Sequence, residues 1–263
     1  MDMSPPSSSR STRLGLAEVV APPNLAPDQR RALVPCDSQP LHVARNATKA
    51  RVTLVEWPPQ SGFCVVLKDG SERAWWFRVS VGRYQMKREW KALCFLSGME
   101  GVPRPCFRAS ADAFGLEWSQ GESLLHFAPG ELPESAVKQL EAVMNELHAR
   151  GVTHGDLHRD NILFDAKNDR VWLIDWATSC VFGPTHRGFK AWMWREWCAL
   201  DRRALAKIKA RYAPDLLRDD ERDLLQNGGS PLSRMVRRVG AIFKRRKRAP
   251  KETPSVPPQR ASA

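Results

Sequence analysis

Three oxygen-bearing side chains, Asp156, Asn161 and Asp175, stand within Leu147–Trp176 (LHARGVTHGDLHRDNILFDAKNDRVWLIDW). Their spacing suits metal-assisted phosphoryl transfer. Residues 162–165 (ILFD) and 171–174 (VWLI) are short apolar runs rich in branched side chains, with AKND between them. The pair reads as a β-hairpin centred near Asn168. That centre sets Asn161 and Asp175 opposite each other at the open end, where cross-strand partners lie roughly 5 Å apart. A carboxylate and an amide oxygen so placed can share Mg²⁺, a hard cation that prefers oxygen and keeps some waters. Asp156, on the loop entering the hairpin, is placed to accept a proton from an attacking hydroxyl. The competing reading is a polar hairpin whose acids only cap turns.

Several elements must position these groups. Pro133 introduces a helix to about Arg150, with Val137, Leu140, Val143, Met144 and Leu147 on one apolar face and Gly151 as its C′ residue. Upstream, RVTLVEW (51–57) and FCVVLKD (63–69) read as strands joined by PPQSG, and Lys68 ends the second. The stretch GSERAWWFRVSVGR fits no period. A helix follows over roughly 84–97, where Met86, Glu89, Leu93 and Leu96 share a stripe and place Glu89 among apolar residues. A carboxylate there is costly unless a cation meets it. Otherwise Glu89 lies at the stripe's edge and reaches water. Gly-Val-Pro (101–103) stops the helix, and strands around 106–109 and 114–118 complete a small sheet.

HGDLHRDN resembles the catalytic loop of the protein-kinase-like superfamily, an aspartate, four residues and an asparagine. LIDWA resembles that family's metal-binding strand end, where Asp-Phe-Gly is usual. The resemblance implies an α+β, two-lobed kinase-like fold with a small β-rich N-lobe and a reduced helical C-lobe. It implies ATP and Mg²⁺ as cofactors, with Asn161 and Asp175 on the metal and Asp156 as the catalytic carboxylate. Lys68 would orient the α- and β-phosphates and Glu89 would orient Lys68. Arg78, in WWFRV, competes for the lysine's role and would bind phosphate as a fork. LEWSQGESL (116–124) resembles the hinge, whose backbone between Glu117 and Ser119 would meet the adenine edge. His154 is read as scaffold for the loop, and His148, with no partner evident in the sequence, as a core histidine.

Four departures from that family narrow the function. No glycine-rich phosphate loop is present: before Gly62 the only glycine is Gly15, so a turn near Asn46–Lys49 would have to cover the phosphates. Gly155 replaces the arginine that reads a phosphorylated activation loop, which argues against that form of switching. His158 stands where Ser/Thr kinases carry a lysine, and small-molecule phosphotransferases of the superfamily, such as aminoglycoside and choline kinases, often show HGDLH. No Ala-Pro-Glu follows Asp175, so a standard protein-substrate groove is not expected. With VVLKD, KREWKAL, GVPRP and DRRALAKIKARY, the chain is similar over roughly 45–240 to the bacterial lipopolysaccharide kinases. These include the 3-deoxy-D-manno-octulosonic acid and core heptose kinases, related to RIO-type kinases.

Composition bounds the rest. At 263 residues, 42% hydrophobic and with ten Trp, the chain can bury a full core. The division expected is a disordered segment over 1–40, an N-lobe over 41–118, a C-lobe over 119–232 and a basic tail over 233–263. Six scattered cysteines, with no CxxC, suit a reducing cytosol and mostly buried roles. No apolar run approaches the ~20 residues of a membrane span, and the N-terminus makes a poor secretory signal. A cleaved organelle transit peptide is the competing reading of that end. From Arg234 onward ten Lys/Arg meet only Glu252, so that stretch holds +9 of the +12 net charge and the body only +3. A specific nucleic-acid surface is not indicated. SRMVRRVGAIFKRRKR (233–248) instead reads as a basic amphipathic helix for peripheral attachment to anionic membrane, or as a merely solubilising tail. AWMWREW (191–197) offers either core packing or aromatic platforms for sugar rings.

The leading expectation is an ATP- and Mg²⁺-dependent kinase, cytoplasmic or at the inner face of the cytoplasmic membrane. Its acceptor would be a hydroxyl on a lipopolysaccharide-core sugar. An atypical serine/threonine protein kinase, a kinase of small metabolites or drugs, and a non-catalytic pseudokinase scaffold are the alternatives.

Overall fold

The computed structural model describes residues 22–36 and 50–226. The chain divides into two compact units, Met1–Ser119 and Gln120–Ala263. The proposed phosphate-covering turn at Asn46–Lys49 and the basic tail from 233 lie outside the described residues.

The first unit begins with a short helix α1 (Pro27–Arg31), followed by strands β1 (Arg51–Glu56) and β2 (Cys64–Asp69). The β-branched Val52, Thr53 and Val55 on one strand and Val65 and Val66 on the other favour pairing, with Arg51 opposite Asp69 and Glu56 opposite Cys64. A helical run follows: one turn α2 (Trp75–Phe77), a π turn (Arg78–Gly82) and α3 (Arg83–Phe95). The stretch that fitted no period is thus helical, and the π turn is why: it breaks the 3.6-residue repeat. Strands β3 (Pro105–Arg108) and β4 (Ala113–Glu117) complete an antiparallel sheet of order β1-β2-β4-β3. Gly115 on β4 is needed because the Phe107 ring crosses it; a Cβ there would lie 2.4 Å from the ring.

Two expectations for this unit are corrected. Residues 22–36 are not a disordered lead-in: Leu25 is buried with Val55, Val65 and Phe107, and Leu33 packs against that cluster. Leu25 N–H donates to the Arg108 carbonyl at 2.9 Å, and Cys36 N–H to the Leu54 carbonyl at 3.0 Å. Burial of apolar side chains outweighs the Pro-rich composition here. Nor are all the thiols free. Cys36, carried alongside β1, forms a disulfide with Cys64 at the start of β2. Of the four free cysteines only Cys198 is fully buried.

The second unit comprises β5 (Glu122–Ser123), α4 (Glu134–Ala149), β6 (Val152–Thr153), β7 (Ile162–Asp165), β8 (Arg170–Leu173), β9 (Cys180–Val181), α5 (Gly188–Tyr212) and α6 (Asp219–Gln226). Helix α4 buries Val137, Leu140, Val143, Met144 and Leu147, the face expected from its period. It ends at Gly151, whose φ is +74°; a Cβ there would lie 1.9 Å from the Gly183 carbonyl oxygen, so only glycine fits. Strand order is β5-β7-β8 in one small sheet and β6-β9 in the other. Three helices meet at Lys209 of α5, whose buried ammonium lies 2.7 Å from Glu221 of α6 and 3.2 Å from Glu141 of α4. No helix among the described residues is long and apolar enough to cross a membrane.

Candidate active site

In the first unit, β2 presents Lys68 and α3 presents Glu89, and the two meet. Lys68 Nζ lies 2.7 Å from Glu89 Oε1 and 2.8 Å from Oε2, a two-pronged contact. The Glu89 side chain is only 2% exposed and the lysine 14%. A carboxylate so deeply buried needs the ammonium to offset its desolvation. Arg78 is engaged elsewhere, donating to the Ser71 carbonyl at 2.8 Å and standing 4.0 Å from Asp112. It does not compete for Glu89.

At the end of the same unit, the Glu117 N–H is spent on the Arg104 carbonyl at 2.8 Å, and its carboxylate on the Arg104 guanidinium at 3.1 Å. An adenine contact through that N–H is therefore not offered. Ser119, by contrast, keeps a buried hydroxyl without a hydrogen-bond partner.

In the second unit, the loop between β6 and β7 is organised around His154. Its ring is fully buried, tilted against Trp176 at 4.9 Å. The Asp156 N–H points to Nδ1 at 3.4 Å, and Nε2 donates to the Ile174 carbonyl at 3.1 Å, which fixes the tautomer. Burial drives the imidazole pKa below its ordinary value, against the opposing pull of Asp201, Asp175 and Asp156. Neutral and engaged at both nitrogens, His154 is a scaffold and not a base.

Asn161 closes the loop. Its side-chain amide donates to the Asp156 backbone carbonyl at 2.9 Å, which turns the amide oxygen away from that bond. The His158 ring Nδ1 accepts from the Asp160 N–H at 3.2 Å, and Nε2 lies 3.6 Å from Asp156 Oδ2. The His158 and Asp156 side chains are both about half exposed.

The hairpin register differs by one residue from the expectation. Ile162 faces Leu173 and Asp165 faces Arg170, so the turn centres between Lys167 and Asn168 and Asn161 comes opposite Ile174. The Ile174 N–H donates to the Asn161 carbonyl at 2.9 Å. Asp175 is the next residue along and adopts left-handed backbone with φ +61°. That conformation is strained for a non-glycine residue by about 1–2 kcal/mol. Trp176 is locked behind it, buried and donating from Nε1 to the Leu173 carbonyl at 3.0 Å.

Asp201 is the residue that sequence reasoning missed. From α5 its carboxylate accepts the His154 N–H and the Gly155 N–H, each at 2.8 Å, and meets His148 Nε2 at 3.2 Å. His148 thus has a partner that its own neighbourhood did not reveal. A signal existed: Cys198, Asp201, Leu205, Ile208 and Tyr212 recur at helical spacing and are all buried. That is the same acid-on-a-stripe pattern that singled out Glu89. Gly155 has φ +80°, and a Cβ would lie 2.7 Å from the Trp197 ring and 2.8 Å from the Thr178 carbonyl oxygen. The arginine of protein kinases has no room here. Of the AWMWREW cluster, Trp194 packs on His148, Phe182 and His186, whereas Trp192 stays exposed and stacks on Phe189 at 5.4 Å.

Among the described residues no group of three His, Cys, Asp or Glu side chains is arranged to hold a metal. The pair expected from the sequence, the Asn161 amide oxygen and the Asp175 carboxylate, falls below that count, and Mg²⁺ takes only one or two protein oxygens when phosphates complete its shell.

No curated protein matches the chain. The family model described as the phosphotransferase enzyme family (APH) matches residues 91–223, about half of the 263. The match includes Asp156, Asn161, Asp175 and Asp201, and begins just after Glu89, leaving Lys68 outside it as well. It carries kinase-type transferase activity within the protein-kinase-like superfamily, and the chain belongs to this phosphotransferase family.

Proposed function

We propose that the protein is an ATP- and Mg²⁺-dependent kinase that phosphorylates a hydroxyl of a lipopolysaccharide-core sugar at the cytoplasmic face of the membrane. The observation that supports the phosphotransfer reading is the tie from the Asn161 side-chain amide to the Asp156 carbonyl, with the Ile174 N–H on the Asn161 carbonyl setting Asp175 one residue beyond the same point. When bound, Mg²⁺–ATP supplies the transferable phosphoryl group and neutralises its charge. Asn161 and Asp175 hold the metal through oxygen. Lys68, held by Glu89, grips the phosphates, and the backbone around Ser119 receives the adenine. Asp156 accepts the acceptor hydroxyl's proton as the new phosphorus–oxygen bond forms and the bond from the γ-phosphorus to the ADP leaving group breaks, and its half-exposed carboxylate can return that proton to water. Placement and charge account for most of phosphoryl-transfer catalysis, and this short set supplies both.

The sugar acceptor is supported by the resemblance of VVLKD, KREWKAL, GVPRP and DRRALAKIKARY to the lipopolysaccharide kinases. The absence of room for an arginine at Gly155 favours it over a phosphorylation-switched protein kinase. ADP release with core oligosaccharide as acceptor tests the reaction. Asp156→Ala is expected to lower the rate by about 10³-fold; equal rates would discard the catalytic assignment, and no turnover in the wild type would leave a pseudokinase. Mass spectrometry of core sugars from a deletion strain tests the acceptor separately: the sugars should lack one phosphate. Unchanged phosphorylation would remove that acceptor and leave the transfer chemistry standing.

A further inference from the structure

We propose that the outward face of the helical run Trp75–Phe95 is a docking surface for an anionic phospholipid bilayer. The run has two chemically opposed sides. Inward it buries Met86, Glu89, Ala92 and Leu93. Outward it exposes Trp75 by 71%, Trp76 by 56%, Val79 by 52% and Tyr84 by 62%, with Phe95 at the far end. So many large apolar side chains exposed along one short run are uncommon on a protein that meets only water. Trp and Tyr are also the residues that partition to the headgroup level of a bilayer, apolar ring inward and polar atom at the surface.

Charge identifies the partner. From Trp75 to Phe95 the only acid is Glu89, and it is buried against Lys68. The same stretch holds Arg78 and Arg83, both beside Asp112, and Lys87, Arg88 and Lys91. Lys87 and Lys91 are exposed and have no ion-pair partner among the described residues. The Arg88 guanidinium sits 5.9 Å from the Tyr84 ring centroid. Aromatic rings bordered by Lys87 and Lys91 match a surface of acyl chains capped by phosphates.

Two other occupants fit less well. A second copy would bring the same unneutralised lysines face to face, a repulsive arrangement. The chain's own remaining segments offer no compensating charge: 1–21 is neutral, 37–49 carries one net positive charge and 227–263 is strongly basic. This inference rests on the surface of the first unit alone and is independent of the phosphotransfer reading.

The test uses the full chain with vesicles of phosphatidylcholine, with and without phosphatidylglycerol. Sedimentation should show binding that requires phosphatidylglycerol. Lys87→Gln with Lys91→Gln should weaken it by about 30-fold, two surface cations' worth. Trp75→Ser with Trp76→Ser should weaken it comparably and diminish the tryptophan fluorescence blue shift on binding. All four side chains are exposed, and near-UV circular dichroism confirms that the variants stay folded. The basic tail is present in every variant, so its contribution cancels. Partitioning of both double variants at the wild-type level would overturn the proposal, as would equal binding to pure phosphatidylcholine. A dimer in light scattering that the tryptophan variant dissolves, with vesicle binding unchanged, would assign the face to self-association instead.

Discussion

Replacing Asp201 by asparagine should loosen the catalytic loop without touching any group that meets substrate. The buried carboxylate accepts from the His154 and Gly155 N–H groups at 2.8 Å and contacts His148 Nε2 at 3.2 Å. An amide has one acceptor oxygen. If that oxygen keeps Gly155, its NH₂ end faces the His154 N–H, and one fully buried peptide donor is orphaned. His148 can change tautomer and accept from the NH₂, so it adds little to the loss. The expected cost is about 1–3 kcal/mol, one unsatisfied buried donor. Asp201→Ala orphans both peptide donors and should cost about 2–6 kcal/mol, twice that figure. Asp156 lies one residue beyond Gly155, so its carboxylate should drift, and a shift near 1 Å lowers turnover by about 100-fold. Urea unfolding gives the stability and ADP release gives kcat, with the KM for ATP as the control that should move least. Wild-type stability and kcat in Asp201→Asn would refute the anchoring argument.

Two further outcomes follow from the buried groups. Lys68→Met leaves the Glu89 carboxylate buried without its cation and should destabilise by about 3–5 kcal/mol. Adding Glu89→Gln should restore much of the melting temperature but none of the turnover, which separates the structural role from the chemical one. For His154 the folded pKa is lowered by burial from its ordinary 6.5, so the imidazole's contribution is fully present above about that pH. It is lost as pH falls toward the folded value, at up to ~1.4 kcal/mol per pH unit. Urea unfolding at pH 7.5, 6 and 5 should show this slope, and His154→Gln should flatten it.

The parts of the site that the sequence made legible are local. Glu89 on the stripe of its helix needed a cation, which short-range periodicity made evident, and the resemblance to the kinase-like family pointed to Lys68 at the end of its strand. The hairpin was equally evident, but its register was not. Arg170 pairs with Asp165, and the Asp165 carboxylate caps the turn by accepting the Lys167 N–H at 3.0 Å. That cap shifts the centre by half a residue and slides Asp175 past the last pair. Asp201 was missed for a different reason. The groups it serves, His154 and Gly155, lie 47 and 46 residues away, and only tertiary packing brings them to it. The Cys36–Cys64 pair, 28 residues apart, likewise depends on chain running beside β1. Pro-rich composition gave no hint of that path.

In the π turn at Arg78–Gly82 the Arg83 N–H reaches back to the Arg78 carbonyl, five residues away instead of four. It therefore takes up one extra residue between Trp75–Trp76 and Glu89. The turn sweeps about 100° less than five residues of ordinary helix would, so deleting one residue there would restore ordinary winding with the indoles and the carboxylate at nearly the same mutual angle. Such a small insertion lengthens the chain between the outer rings and the inner acid without turning one against the other.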